Sequence, residues 1–358
     1  MHRRVALLSA VALAVTGALI PMGAQAGAST GLDPQPVRWS AADSWQERRT
    51  VSNYWTSRRM LAAEPLDALA PRRTRSNGPT RGNPWSTRGA STTTGQRTPW
   101  VTQGAATQGK PWAVKGTMST VARRQAQVPN SPGLRWTDDG AIVRTSGRVF
   151  FTTADGQNSS CSGTAVTSAN ESVVMTAGHC VKLNGTAHRN WVFVPAFDNG
   201  RRPFGTWVAS RMLTTQQWNA REDINFDIAA AVVAPLQGQT LSDVVGGQGV
   251  AFNQPRQRQM YSFGYPAAAP FDGSELIYCS GRSFNDTVMT NDLGLRCNMT
   301  GGSSGGGWFQ GFDESTGLGW LNSVNSFKYD FAQNFMFGPF FGNEAMAVYQ
   351  AAQGTNAL

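Results

Sequence analysis

From residue 148 to the end of the chain, short β-branched and aromatic runs alternate with clusters of Gly, Pro, Asn and Asp. The runs fall at 148–153, 172–176, 191–194, 228–233, 260–263, 275–279 and 319–327. Regular short strands with turn signals between them predict an all-β sandwich or barrel. One helix is predicted in this stretch, over 343–353, with apolar Ala345, Met346, Val348 and Tyr349. A segment of about 220 residues is long enough to bury a substantial core.

The first 130 residues read differently. Positions 5–20 are apolar except for Ser9, Thr16 and Gly17; they follow His2-Arg3-Arg4 and lead to Ala24-Gln25-Ala26. That is the layout of a secretory signal peptide over 1–26. The apolar run is shorter than the about 20 residues a bilayer span needs. No later stretch is apolar enough to span, so no membrane span is expected once the signal is removed. The chain is expected to be secreted into an extracellular, oxidising space, where disulfides persist.

Residues 27–130 are rich in Arg, Thr, Ser, Gly, Pro and Trp and poor in aliphatic runs. Only 45–69, with Tyr54-Trp55 and Met60-Leu61 between Arg pairs, has helical character. Beyond it, Pro84-Trp85, Pro99-Trp100 and Pro111-Trp112 recur 15 and then 12 residues apart. Such composition buries too little apolar surface to offset backbone ordering, so the segment is expected to be largely disordered in isolation. Two roles fit it. One is a pro-segment or linker trimmed at exposed dibasic pairs: Arg48-Arg49, Arg58-Arg59, Arg72-Arg73 and Arg123-Arg124. The other is contact with the cell envelope, Trp rings stacking on a carbohydrate or acidic polymer while Arg supplies attraction.

Charge separates the two regions. The whole chain is net +9, yet 27–130 holds 15 basic and 5 acidic residues while 131–358 holds 14 and 17. A mildly acidic main region excludes nucleic acid as its expected partner. All four cysteines lie beyond residue 160, and after signal removal two histidines remain, His179 and His188. Two histidines far from paired acids make no ligand cluster, so neither a metal nor another cofactor is expected.

Three local sequences carry candidate chemistry. Thr176-Ala177-Gly178-His179-Cys180 follows an apolar strand directly. Phe226-Asp227-Ile228-Ala229-Ala230 sets an acid at the mouth of a buried strand, where it would be desolvated unless a donor met it. A neutral imidazole donating its Nδ1 proton would do so and fix the ring's tautomer. Asp223 is a rival, but its flank Arg221-Glu222 reads as solvated. The third is Thr300-Gly301-Gly302-Ser303-Ser304-Gly305-Gly306-Gly307, where glycines allow backbone N–H groups to converge and a substrate to approach closely. The glycines that follow directly favour Ser304 over Ser303.

Together, and in this order, the three sequences resemble the trypsin-like (chymotrypsin-fold) serine peptidases, and among them the exported bacterial branch related to glutamyl endopeptidases. The resemblance covers about 148–352. It implies two six-stranded antiparallel β-barrels with the active site in the cleft between them, in a domain over 131–358. It also implies a His-Asp-Ser triad: His179 as general base, Asp227 as the orienting acid and Ser304 as nucleophile, with the Gly302 and Ser304 N–H groups as oxyanion hole. Protein or peptide substrates and a monomer are expected. Of the three pairings four cysteines allow, Cys161–Cys180 and Cys279–Cys297 would clamp the loops of the base and the nucleophile, each bridge adding about 3 kcal/mol.

The sequence departs from the family pattern in places. Ser303 stands where animal relatives carry the Asp that pairs with a freshly cut N-terminus, so activation is expected by removal of a blocking pro-segment. Gly307 replaces a Pro, with local loosening expected. The position expected low in the primary pocket reads Asn298, not an acid, and the strand carrying Ser326 and Phe327, which are expected to contact substrate, has no His. Neither basic nor glutamyl selectivity is indicated, which leaves a neutral side chain. A secreted, non-catalytic binding or adhesion protein on the same fold is the alternative.

Overall fold

A computed structural model describes residues 35–66, 78–89 and 131–357. The expected signal peptide, the Pro-Trp units at Trp100 and Trp112 and the later dibasic pairs lie outside the described residues. Strands in chain order are β1 (Val37–Ser40), β2 (Glu64–Pro65), β3 (Trp85–Thr87), β4 (Leu134–Arg135), β5 (Ser146–Thr152), β6 (Asn158–Val166) and β7 (Val173–Thr176). Next come the hairpin β8 (Lys182–Leu183) and β9 (Thr186–Ala187), then β10 (Arg189–Pro195), β11 (Trp207–Thr214), β12 (Ala229–Val233), β13 (Gly249–Phe252) and β14 (Gln259–Gly264). The last are β15 (Ile277–Arg282), β16 (Phe284–Asn285), β17 (Leu293–Arg296), β18 (Gly307–Asp313), β19 (Leu318–Val324) and β20 (Phe335–Gly338).

The first half closes. Strands β10, β5, β6, β7, β12 and β11 pair antiparallel in a ring, because β11 bonds β12 as well as β10. Val149, Phe193, Val174 and Ala231 share one face of these strands by register, and all four are buried with no exposed surface. The second half is built of two sheets. One runs β3-β13-β19-β18-β14-β15-β4 and the other β16-β17-β20; an antiparallel bridge between Phe327 and Phe337 joins them. The helix Asn343–Gln353 lies where expected and ties the halves together: Tyr349 Oη donates to the Thr167 carbonyl, and its ring packs on Phe252.

One expectation needs correction. Short helices also form at Ala141–Thr145, Gln216–Arg221 and Leu241–Val245, each too short for a periodic apolar signal. At Gly307, in place of a Pro, a Cβ would lie 2.5 Å from Leu321 Cδ1, so the strand packs closely there. Parts of the region before 131 join this fold. Residues 35–66 carry helices Trp45–Tyr54 and Ser57–Leu61, β1 extends the first barrel at β11, and β3 extends the second sheet at β13. Trp55 is buried, its Nε1 donating to the Asn190 carbonyl and its ring 5.5 Å from Phe150. The segment buries Val51, Trp55 and Met60, while Trp45 and Leu61 stay exposed.

Candidate active site

His179 lies on a single 3-10 turn, Gly178–Cys180, that leaves the end of β7. The turn sits tightly: a Cβ on Gly178 would come within 2.7 Å of the buried Trp218 indole. Asp227 ends a second 3-10 turn and leads into β12, the neighbour of β7, so the barrel's register brings the two together. His179 Nδ1 lies 2.7 Å from Asp227 Oδ2, and the His179 backbone N–H donates to Asp227 Oδ1 at 2.8 Å. Ser326 Oγ, just beyond β19, donates to Asp227 Oδ2 at 2.5 Å. A fully buried carboxylate is thus met by three donors, which offsets the cost of taking it out of water. Since Nδ1 donates to the carboxylate, the Nε2 lone pair is left free, and Nε2 is buried without a hydrogen bond among the described residues. Asp223 instead caps the turn Ile224–Phe226 and pairs with Arg221.

His188 holds this arrangement from behind. Its Nε2 lies 2.9 Å from the His179 carbonyl, and its ring stacks on Phe151 at 4.2 Å. Burial pushes its pKa down to about 4, so at neutral pH it is uncharged and Nε2–H is the donor.

The loop bearing Ser304 is fixed on three sides. Asn325 donates through Nδ2 to the Ser303 carbonyl, while its backbone exchanges bonds with Gly305 and Gly306. From the first barrel, the Ser162 N–H donates to the Ser304 carbonyl at 2.7 Å, and Ser162 Oγ donates to the Gly302 carbonyl at 2.9 Å. Thr176 Oγ1, three residues before His179, donates to the Ser162 carbonyl. A Cβ on Gly305, at φ +79°, would lie 2.1 Å from that Thr176 oxygen. The serine loop therefore rests on the strand end that leads to the histidine. Ser303 Oγ donates to the Thr300 carbonyl, a local bond.

One N–H expected in the oxyanion hole has an occupant. Gly302 N–H donates to the Leu66 carbonyl at 3.0 Å, and Leu66 N–H donates to the Ser160 carbonyl at 3.0 Å. Leu66 directly follows β2, which runs parallel to β6. The chain ahead of residue 131 thus reaches the serine loop.

The residues expected to contact substrate are placed as follows. Phe327 is buried against Phe337, which bonds both its N–H and its C=O. Asn298 donates its N–H to the Pro132 carbonyl, and Gly133 packs closely on its Oδ1. Disulfides join Cys161 to Cys180 and Cys279 to Cys297. The first bridge consumes both sulfurs of the Cys161, His179 and Cys180 group, so no thiolate is left there for a metal.

No family model matches the chain, and neither does any curated protein sequence. Solved structures do match. Protease Anisep from Arthrobacter nicotinovorans is 43% identical, with a TM-score of 0.57, over 62% of this chain and 100% of its own. The thermostable serine protease AL20 from an extremophilic microorganism is 45% identical, with a TM-score of 0.57, over 60% of this chain and 100% of its own.

The chain belongs to the trypsin-like serine proteases. Within this protease, the roles of the Ser162, His188 and Asn325 side chains were missed from sequence, and Ser326, expected to contact substrate, also bonds Asp227. They are ordinary polar residues in or beside strands, and only barrel register brings them to the motif residues.

Proposed function

We propose that this protease is a secreted endopeptidase made as a latent precursor. Ser304 Oγ attacks the peptide carbonyl while its proton passes to His179 Nε2, and Asp227 stabilises the imidazolium that forms. The Gly302 and Ser304 N–H groups receive the oxyanion. The tetrahedral intermediate collapses, the leaving amine takes the proton from His179, and water releases the acyl group by the same steps reversed. The observation that carries this reading is the paired ring: Asp227 holds His179 through both carboxylate oxygens, leaving Nε2 as an unbonded acceptor.

Latency follows from Leu66. While its carbonyl holds Gly302 N–H, one of the two oxyanion donors is spent, and losing one such donor costs about 10²–10³ in rate. Release of the segment before 131 frees it, and Ser303 offers no carboxylate for a new N-terminus to act through instead. The apolar run at 5–20 and two disulfides support export, and among the described residues no helix is long and apolar enough to cross a membrane.

A fluorophosphonate probe tests the reading. Trimmed protein is expected to label at Ser304 and to hydrolyse casein, and Ser304→Ala to do neither. Trimmed protein that folds but does not label would favour the binding-protein alternative.

A further inference from the structure

Lys328 is buried, at 7% exposure, and lies two residues beyond the serine that bonds Asp227. Its Nζ donates to the Cys297 carbonyl at 3.2 Å and to the Gln333 carbonyl at 2.6 Å. Cys297 precedes Asn298, the position expected low in the primary pocket, and Ser304 lies seven residues on. The ammonium thus sits between the chain that leads into the serine loop and the segment that follows Ser326. Both of its acceptors are neutral, and an ammonium carries three donors, so one N–H is left over. No carboxylate among the described residues forms an ion pair with it. Burial lowers its pKa to about 8, which leaves it mainly charged at neutral pH.

A buried cation without a counter-ion is costly, and a tie between two carbonyls could be made by a neutral donor at less cost. An arriving anion would offset that cost. The substrate is a group that could bring one here, because the backbone beside Lys328 keeps an edge free for pairing. Phe337 takes the N–H of Ser326 and both backbone groups of Phe327 on one edge. The other edge, with the Ser326 carbonyl and the Lys328 N–H, carries no hydrogen bond among the described residues. An extended peptide paired there would bring a side chain next to the ammonium.

We propose that Lys328 is the specificity-determining residue of this protease and selects peptides with an acidic side chain, Glu or Asp, on the acyl side of the cleaved bond. This rests on the hydrolase reading above and replaces the neutral preference suggested by Asn298 and the absence of a strand histidine. The carboxylate accepts the spare N–H of Lys328, a charge-assisted bond.

The test uses the exported, processed protein, with active sites counted by fluorophosphonate labelling. Peptide substrates that differ only by Glu against Gln at the cleaved position are compared by kcat/KM. Glu is expected to exceed Gln about tenfold or more, as a charge-assisted bond in place of a neutral one allows. Lys328→Met should bring the ratio near one, and Lys328→Arg should keep Glu ahead, which separates charge from folding. A labelled enzyme with equal rates for the two, or a ratio that survives Lys328→Met, overturns the proposal and leaves the hydrolase reading intact. Absent labelling overturns the hydrolase reading instead. Lys328 is then judged by affinity: a cleavage product ending in Glu should bind about tenfold tighter than one ending in Gln, and equal affinity overturns the proposal.

Discussion

At the scale of single residues, the site depends on how many donors reach one carboxylate. Asp227 accepts from the His179 ring, the His179 backbone and Ser326 Oγ. Asp227→Asn keeps the shape but lets the amide donate to the ring, reversing the tautomer. A kcat loss of about 10⁴ is expected, read by steady-state turnover of trimmed enzyme. His188 gives a stability prediction. Its pKa falls from the ordinary 6.5 to about 4 on folding, so between these values the unfolded chain binds more protons. Stability is fully present above 6.5 and is lost as pH falls through 4, by about 3 kcal/mol in all. Urea midpoints at pH 7, 5.5 and 4 should show this loss, and His188→Gln should lack that share of it. The residue scale also marks what motifs reveal. His179, Asp227 and Ser304 stood out because each sits in a recognisable motif, whereas Ser162 and Asn325 lie in runs that carry none.

Among the elements, β6 was the least legible and matters most. Asn158–Val166 reads Asn-Ser-Ser-Cys-Ser-Gly-Thr-Ala-Val, which carries no strand-like alternation, yet it is buried almost throughout. Two of its hydroxyls are used internally: Arg148 Nη2 donates to Ser160 Oγ, and Ser162 holds the serine loop. Polar side chains are tolerated in a core when each finds a partner, and a hydropathy pattern does not record partners. The Cys161–Cys180 bridge ties this strand to the turn of His179. Replacing both cysteines with alanine should cost about 3 kcal/mol, measured by urea unfolding. Activity in the remaining folded fraction should fall too, because the bridge anchors the turn that carries the base.

The whole molecule joins two regions that composition had separated. Residues 35–66 pack on the closed barrel through Trp55 and deliver Leu66 to Gly302. If that contact causes latency, weakening the segment's grip should wake the uncut chain. Trp55→Ala removes the buried indole and its bond to Asn190, a change worth about 3–5 kcal/mol. The untrimmed variant should label with fluorophosphonate faster than the untrimmed parent, while the two trimmed proteins label alike. Equal rates before trimming would separate latency from this contact.

By itself the sequence determined the strand-rich class, the order of the three motifs, the terminal helix and the division of charge. Each is written in neighbouring residues: β-branched runs, glycines around a serine, an apolar stripe, a run of arginines. Tertiary structure alone decided which donors meet Asp227, what lies on Gly302, and that Lys328 is a buried cation without an acid. Those are meetings between residues up to about 240 positions apart in the chain, as Leu66 and Gly302 are. Burial and hydrogen-bond partnership are set by the closing of sheets, so no local pattern carries them.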